Sequence, residues 1–141
     1  MDKLSVLREA RRLGGPNRSQ RMNDVAVFAR KNECVVNSSA GRGGTMQIRY
    51  GALNLPVLDM TADGVVTVYV RPSTNPEHAE ELTRSLTEAI HASEKLGVSV
   101  AAKRASAKCP EPLEEVDQDA IQDFILQAVG LIRENVYQQN A

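Results

Sequence analysis

The chain has 141 residues, of which 42% are hydrophobic, 25% charged and 4% aromatic, with two Cys, no Trp and a formal net charge of −1. This composition is typical of a globular protein that is long enough to bury a core without disulfide bridges. The sequence contains no apolar run of membrane-spanning length, and its few aromatic residues argue against a protein that stacks single-stranded nucleic acid on aromatic rings. We therefore expect one α+β domain, residues 1–141, in the cytoplasm.

Charge is distributed unevenly along the chain. Residues 1–50 contain ten Lys or Arg and four Asp or Glu, whereas residues 51–141 contain seven and fourteen. Such an asymmetry favours a nucleic-acid or acidic partner, or association between opposite ends of two copies. The alternative is that both signs intermix on the folded surface and attract no partner.

The first segment is predicted to be a short helix followed by a basic loop. Apolar residues recur at helical spacing across 3–13, and a Gly-Gly-Pro stop signal follows at 14–16. The polar stretch 14–23 is typical of a loop. We expect residues 1–23 to be partly mobile.

The stretch 24–71 is predicted to form a meander of five antiparallel strands. Apolar residues alternate with a period of two, and the short connections favour antiparallel neighbours. Because Pro56 cannot donate to a ladder, the fourth strand is expected at an edge or at a bulge. Asp63 and Gly64 form a hairpin-turn signal before the fifth strand. The candidate strands lie at 25–29, 34–36, 45–50, 53–57 and 65–71.

Two longer helices are predicted in the second half of the chain. The first begins with Asn75 as its N-cap and ends at Gly97, and the second follows Asp117 and covers 118–138. Alternation over 98–102 predicts a sixth strand, and a proline-containing connector covers 104–115. The expected fold is a mainly antiparallel sheet of five to six strands, with the N-terminal helix and both C-terminal helices packed on one face.

The segment 37–45 is the first candidate site. Its three glycines, three hydroxyls and one arginine could form a backbone nest that holds a phosphate. The P-loop spacing is missing, and the segment lies between two predicted strands rather than before a helix. A flexible hairpin loop explains the same composition. The residues that would contact the anion are Ser38, Ser39, Arg42, Gly43 and Gly44.

Arginines in the first third of the chain form the second candidate site. Arg18, Arg21 and Arg42 could neutralise the phosphates of a nucleic acid or of another polyanion. Arg11 and Arg12 could contribute to the same patch. No helix-turn-helix, zinc-finger or RNA-binding sheet signature accompanies these residues, so ordinary solubilising charge is the alternative interpretation.

The remaining reactive residues lack a functional pattern. The acidic run 111–123 has no EF-hand spacing, and His78 and His91 lie about 220° apart around one helix. Neither cysteine has a neighbour at zinc-binding spacing, so we expect no structural metal. Two cysteines are too few for a disulfide scaffold, so we expect both to be reduced, with Cys34 buried and Cys109 in a loop, and a single bridge is the alternative. We predict no metal, no cofactor and no catalytic residue.

Three functions stay open after these exclusions. The leading one is a non-enzymatic interaction module that self-associates as a dimer, since no catalytic constellation is present and sheet edges offer dimer surfaces. The second is polyanion binding through the arginines. The third is a small enzyme or ligand-binding protein with an anion site at 37–45, and a separate protein partner stays open for any of the three.

Overall fold

The computed structural model describes residues 1–71, 76–101 and 104–137, and the elements below are those of this part of the chain. The helices are α1 (Lys3–Gly14), α2 (Pro16–Lys31), α3 (Pro76–Ala92) and α4 (Gln118–Tyr137). The strands are β1 (Cys34–Ser39), β2 (Thr45–Tyr50), β3 (Leu55–Thr61), β4 (Val66–Tyr69) and β5 (Ser106–Lys108). Short 3₁₀ turns lie at Gly41–Gly43 and Glu94–Leu96.

The five strands form one sheet in the order β1-β2-β3-β4-β5, and every neighbouring pair is antiparallel. The predicted α+β class and mainly antiparallel sheet are therefore confirmed, and β2 has its predicted bounds. Asp63 and Gly64 lie in the turn between β3 and β4 as predicted, where Gly64 N–H donates to Thr61 O at 2.9 Å. Because each strand pairs only with its neighbours in the sequence, β1 and β5 are the two edges.

The predictions of a loop over 14–23 and of a strand over 25–29 are wrong, because Gly14 ends α1 and the residues from Pro16 onwards belong to α2. Pro16 suits the first turn of a helix, and Gly15, with φ 87°, allows the sharp bend between α1 and α2. The buried side chains recur at helical spacing, whereas Val27, which completed the apparent alternation, is exposed. The buried residues of α2 are Met22, Val25, Ala26 and Ala29.

The fourth predicted strand is the first part of β3, which lies inside the sheet over its second half. β3 pairs with β2 on one side and with β4 on the other. Pro56 is tolerated there because the register between β2 and β3 shifts between Ile48 and Arg49, and a bulge removes the need for one ladder donor. The prediction of a bulge is therefore right. The strand also has an edge at Pro56, because the ladder between β3 and β4 covers only Leu58–Met60 and Pro56 pairs with β2 alone.

The last strand is not where the alternation predicted it. Residues 98–101 form no ladder, and residue 102 lies outside the described residues. Instead, Ser106–Lys108, within the predicted connector, pairs with β4. The sheet thus has five strands in the described part of the chain, and the fifth is only three residues long.

The ends of the C-terminal helices agree in part with the prediction. Asp117 caps α4, since its Oδ1 accepts a hydrogen bond from Ala120 N–H at 2.9 Å. Gly97, with φ 68°, ends the 3₁₀ turn after α3 rather than α3 itself. Asn75, the predicted N-cap of α3, lies outside the described residues. No helix of the described ranges is long and apolar enough to cross a membrane.

One face of the sheet is buried and the other is open. Along β2, Met46 and Ile48 are fully buried, whereas Gln47 and Arg49 between and beside them are partly exposed. α1 and α2 contact β1 and β2, α4 contacts β3, and α3 packs against α4. The buried face therefore lies under α1, α2 and α4, and the polar face with Arg49 points to solvent.

Candidate interaction surface

Arg18 lies on α2 and is bound within the chain. Its Nε and Nη2 donate to the Glu114 carboxylate, at 2.6 Å for the shortest contact, and its Nη1 donates to Ala62 O at 3.1 Å. The side chains of Arg18 and Glu114 are only 12% and 16% exposed. This two-pronged hydrogen bonding to a carboxylate raises the pKa of Arg18. Arg18 thus fastens α2 to the segment after β5 and to the β3–β4 turn.

Arg21 and Arg42, the other two predicted contacts of a polyanion, also have acceptors within the chain. Arg21 Nη1 donates to carbonyl oxygens of the segment that follows β5, including Leu113 O at 3.2 Å. Arg42 is exposed, and its Nη2 lies 3.4 Å from Asp63 Oδ2. The negative charge of Asp63 also raises the pKa of Arg18, so Arg18 and Arg42 meet at the β3–β4 turn. Arg21 lies by the segment after β5 instead, and each of the three arginines already binds an oxygen of this chain.

The glycine-rich loop that was predicted as an anion site is held by its own hydrogen bonds. The carbonyl of Gly41 accepts from Gly44 N–H at 3.0 Å and from Thr45 Oγ1 at 2.6 Å. Gly44 is buried with φ 138°, and an added Cβ would approach Met1 Sδ to 3.3 Å. Gly43, with φ 79°, faces open space. The loop is thus a defined connection, and its glycines serve its backbone geometry.

Both cysteines are buried and unbridged. The exposed fraction is 5% for Cys34 and 7% for Cys109, and burial raises the pKa of both thiols to about 11. The expected burial of Cys34 is confirmed, and Cys109 lies outside the strands and helices as predicted but is buried as well. Its N–H donates to Val66 O at 2.8 Å directly after β5, which turns the thiol into the core. Thiols this basic are poor nucleophiles near neutral pH.

The open face of the sheet carries one pair that sequence reasoning missed. Tyr69 OH donates to Asp59 Oδ2 at 2.6 Å. Burial raises the pKa of Asp59, and the hydrogen bond from Tyr69 and the charge of Arg49 oppose this rise only in part. The signal was present in the alternation, because all three residues fall on the polar face of their strands. The pair is satisfied internally.

The outer side of β1 is the surface that the fold adds to the sequence-based candidates. Gly51 N–H donates to Glu33 O at 3.0 Å, which marks a hydrogen-bonded pair directly before β1. Such pairs alternate along an antiparallel ladder, so every second residue of β1 directs its N–H and C=O away from β2. No hydrogen bond reaches these six groups from residues 1–71, 76–101 or 104–137. The residues that carry them are Cys34, Val36 and Ser38.

The side chains of β1 leave this edge unprotected. The strand, with the sequence CVVNSS, contains neither a charge nor a proline. Ser38 and Ser39, which were predicted to bind an anion, lie opposite Met46 and Thr45 of β2. Val35 is 43% exposed on the open face. Such a strand is a template for pairing with another strand.

The edge at β5 is protected in three ways. It has only three residues, it ends with the exposed Lys108, and Pro110 follows two residues later. The N–H of Cys109 donates to Val66 O and the N–H of Val70 donates to Ala105 O, at 2.8 and 2.9 Å. By the same alternation, only Ser106 and Lys108 direct backbone groups outwards. Shortness, lysine and proline are the usual features that prevent edge pairing.

Comparisons with protein-family models, with curated proteins and with solved structures found no match to this chain. Within the described residues, no group of three or more His, Cys, Asp or Glu side chains could hold a metal ion. Of the two histidines, His91 accepts a hydrogen bond from Val100 N–H at 3.1 Å, and the side chain of His78 lies outside the described ones. The function is therefore argued from the geometry of the chain itself.

Proposed function

We propose that this chain is a non-enzymatic interaction module that self-associates by pairing β1 with β1 of a second copy. The observation that carries the proposal is the contrast between the two edges of one sheet. β5 has the features that prevent pairing, whereas β1 has six residues, no charge and six unpaired backbone groups within the described part of the chain. An edge of this kind is stabilised when another strand satisfies its donors and acceptors.

The chemistry of β1 favours a second copy over a charged peptide. A charged peptide would place its charges opposite a strand that offers none in return. Two copies of β1 place uncharged side chains opposite each other. The N–H groups of each copy can donate to the C=O groups of the other. We further propose a reducing compartment such as the cytoplasm, since the two thiols are buried and unbridged.

The other two functions have less support from the geometry. The guanidinium groups of Arg18 and Arg21 are bound by oxygens of the chain, and Arg42 faces Asp63. A polyanion would have to displace these acceptors. In the 37–45 loop, the N–H of Gly44 and the hydroxyl of Thr45 already donate to Gly41 O, so an anion would have to compete with this carbonyl for both donors.

The experiment compares proline substitutions at the two edges. In Val36→Pro the lost N–H points away from β2, so the β1–β2 ladder stays intact, whereas the edge loses a donor. Ser106→Pro removes an outward N–H from β5 and is the matched control. Light scattering and sedimentation at concentrations from about 1 to 500 µM should show a dimer for the wild-type protein and for Ser106→Pro. We expect the dissociation constant of Val36→Pro to rise at least tenfold, on the order of the loss of two hydrogen bonds.

A second variant covers the case in which Val36→Pro fails to fold. Asn37 is exposed on the open face, so Asn37→Lys adds an edge lysine without entering the core. It should weaken the dimer while its thermal midpoint stays within a few degrees of the wild type. A wild-type protein that is monomeric at all these concentrations, or a dimer that neither β1 variant weakens, would overturn the proposal.

A further inference from the structure

We infer that the two copies pair in one register, with a two-fold axis at Val36, to form a continuous ten-stranded sheet. The inference rests on the proposed self-association through β1, and it names the residues that face each other. In this register the numbers of paired residues add up to 72. Val36 then lies opposite Val36 of the second copy, and Cys34 lies opposite Ser38.

The register follows from which backbone groups are free. The outward N–H and C=O groups belong to every second residue of β1, namely Cys34, Val36 and Ser38. In a symmetric antiparallel pair, every outward group finds a partner only if Cys34, Val36 and Ser38 of one copy lie opposite these same three residues of the other. A sum of 72 does so and forms six hydrogen bonds between the copies. With sums of 70 or 74, one of the three residues in each copy lies opposite a residue outside the partner's β1, and only four hydrogen bonds form.

The side chains are compatible with this register. On the open face, Val35 of one copy lies beside Asn37 of the other, so that an exposed apolar side chain is covered by an exposed amide. Glu33, which binds Arg133 at the start of β1, lies opposite Ser39, so no like charges meet. Six residues per copy bury far less than the roughly 1,600 Å² of a standard interface. We therefore expect a weak, concentration-dependent dimer.

Engineered disulfides on the open face distinguish the three registers. Val35 and Asn37 are both exposed, so Val35→Cys and Asn37→Cys should leave the core intact. With a sum of 72 the two positions form a non-hydrogen-bonded pair, with Cα atoms about 4.5 Å apart, within the range of a disulfide. Val35 of one copy lies about 7–8 Å from Val35 of the other, and the same holds for the two Asn37 residues, which is too far for a disulfide. The cross-linking is done by mild oxidation and read by non-reducing electrophoresis and mass spectrometry.

The expected result is a cross-linked dimer only when the two variants are mixed. Each variant alone, and the wild-type protein with its two buried thiols, should stay uncross-linked. A disulfide formed by Val35→Cys alone indicates a sum of 70, and one formed by Asn37→Cys alone indicates 74. Either result overturns the register and leaves the proposed self-association standing. A dimer in solution that gives no cross-link in any mixture overturns both the register and the use of β1.

Discussion

The two edges of the sheet differ in whether another strand can pair with them: β1 is open to pairing and β5 is protected from it. β1 has six residues without a charge along its free edge, whereas β5 has three and is followed directly by a segment that hydrogen-bonds to the rest of the protein. Leu113 N–H donates to Gly64 O at 2.9 Å, and Glu114 binds Arg18 on α2. The β5 side is thus closed by short strand length, charge and long-range hydrogen bonds. This fold therefore does not require an unprotected edge, because the same chain protects the edge at β5 and leaves the edge at β1 open.

The comparison assigns different roles to the two sides, stability to the β5 side and association to the β1 side. The largest expected effect comes from Glu114→Ala, which leaves the guanidinium of Arg18, a side chain that is only 12% exposed, without its carboxylate. An unpaired charge in such a place destabilises a protein strongly, and we expect the free energy of unfolding to fall by about 2 to 3 kcal/mol. Urea unfolding measures this loss. The dimer dissociation constant of the folded protein should not change.

Glu115 provides the matched control for that variant. It is exposed, and its hydrogen-bonded neighbour Glu111 raises its pKa, which is a sign of repulsion between two carboxylates. Glu115→Ala removes the same charge without leaving a buried partner, so we expect no loss of stability. Equal losses for both variants would show that the Arg18–Glu114 contact is not the cause.

The native thiols test the two edges without an engineered interface. Cys34 begins β1, and Cys109 directly follows β5. With pKa values of about 11, both should react with a thiol reagent at pH 8 about 100-fold more slowly than an exposed thiol. Pairing of β1 should protect Cys34 further, by about fivefold at a protein concentration ten times the dissociation constant.

Two single variants separate the signals of the thiols. Cys109→Ala reports Cys34, whose rate should fall as protein concentration rises. Cys34→Ala reports Cys109, whose rate should not depend on concentration. A concentration dependence at Cys109, or its absence at Cys34 in a dimeric protein, would place the association on the other side of the sheet.

The reason why sequence reasoning missed the β1 edge lies in α2. The alternation of Val25, Val27 and Ala29 resembles a strand, and a strand there would have paired with β1 and covered it. The helical spacing of Met22, Val25 and Ala29 was equally present in the sequence. The Gly-Gly-Pro sequence at 14–16 was interpreted only as the end of the first helix, although the same residues also begin the next one. Local patterns alone do not decide between a strand and a helix here. The helix is favoured because it buries its apolar side chains against β1 and α4.

Elements with strong local signals were predicted correctly. The alternation of Thr45–Tyr50, the Asp63–Gly64 turn and the Asp117 cap all depend on neighbours within a few residues. The candidate site was harder, because the acceptors of Arg18 are 44 and 96 residues away in the sequence. No short-range pattern indicates that an arginine in a polar segment will bind a distant carboxylate. The three-residue β5 is likewise formed by pairing with β4 and not by its own sequence.

The middle strand gives the smallest and most discriminating test. Asp59 lies on the open face of β3, and burial raises its pKa above 3.8, so the folded protein holds this proton more tightly than the unfolded chain. The unfolding free energy of the wild type should therefore fall, relative to Asp59→Asn, as pH rises from 3.8 through the folded pKa, and the difference should then stay constant. At pH 7 we expect Asp59→Asn to be more stable by at most about 0.5 kcal/mol.

Chemical denaturation at several pH values measures this difference, with the exposed Asp123→Asn as the control for a general effect of charge. A difference that shrinks as pH rises would mean that the hydrogen bond from Tyr69 and the charge of Arg49 outweigh burial. The same variant also tests which surface associates. If the two copies meet edge to edge at β1, a change two strands away leaves the dissociation constant unchanged, whereas packing through the open face would alter it because Asp59 and Tyr69 would then lie in the interface.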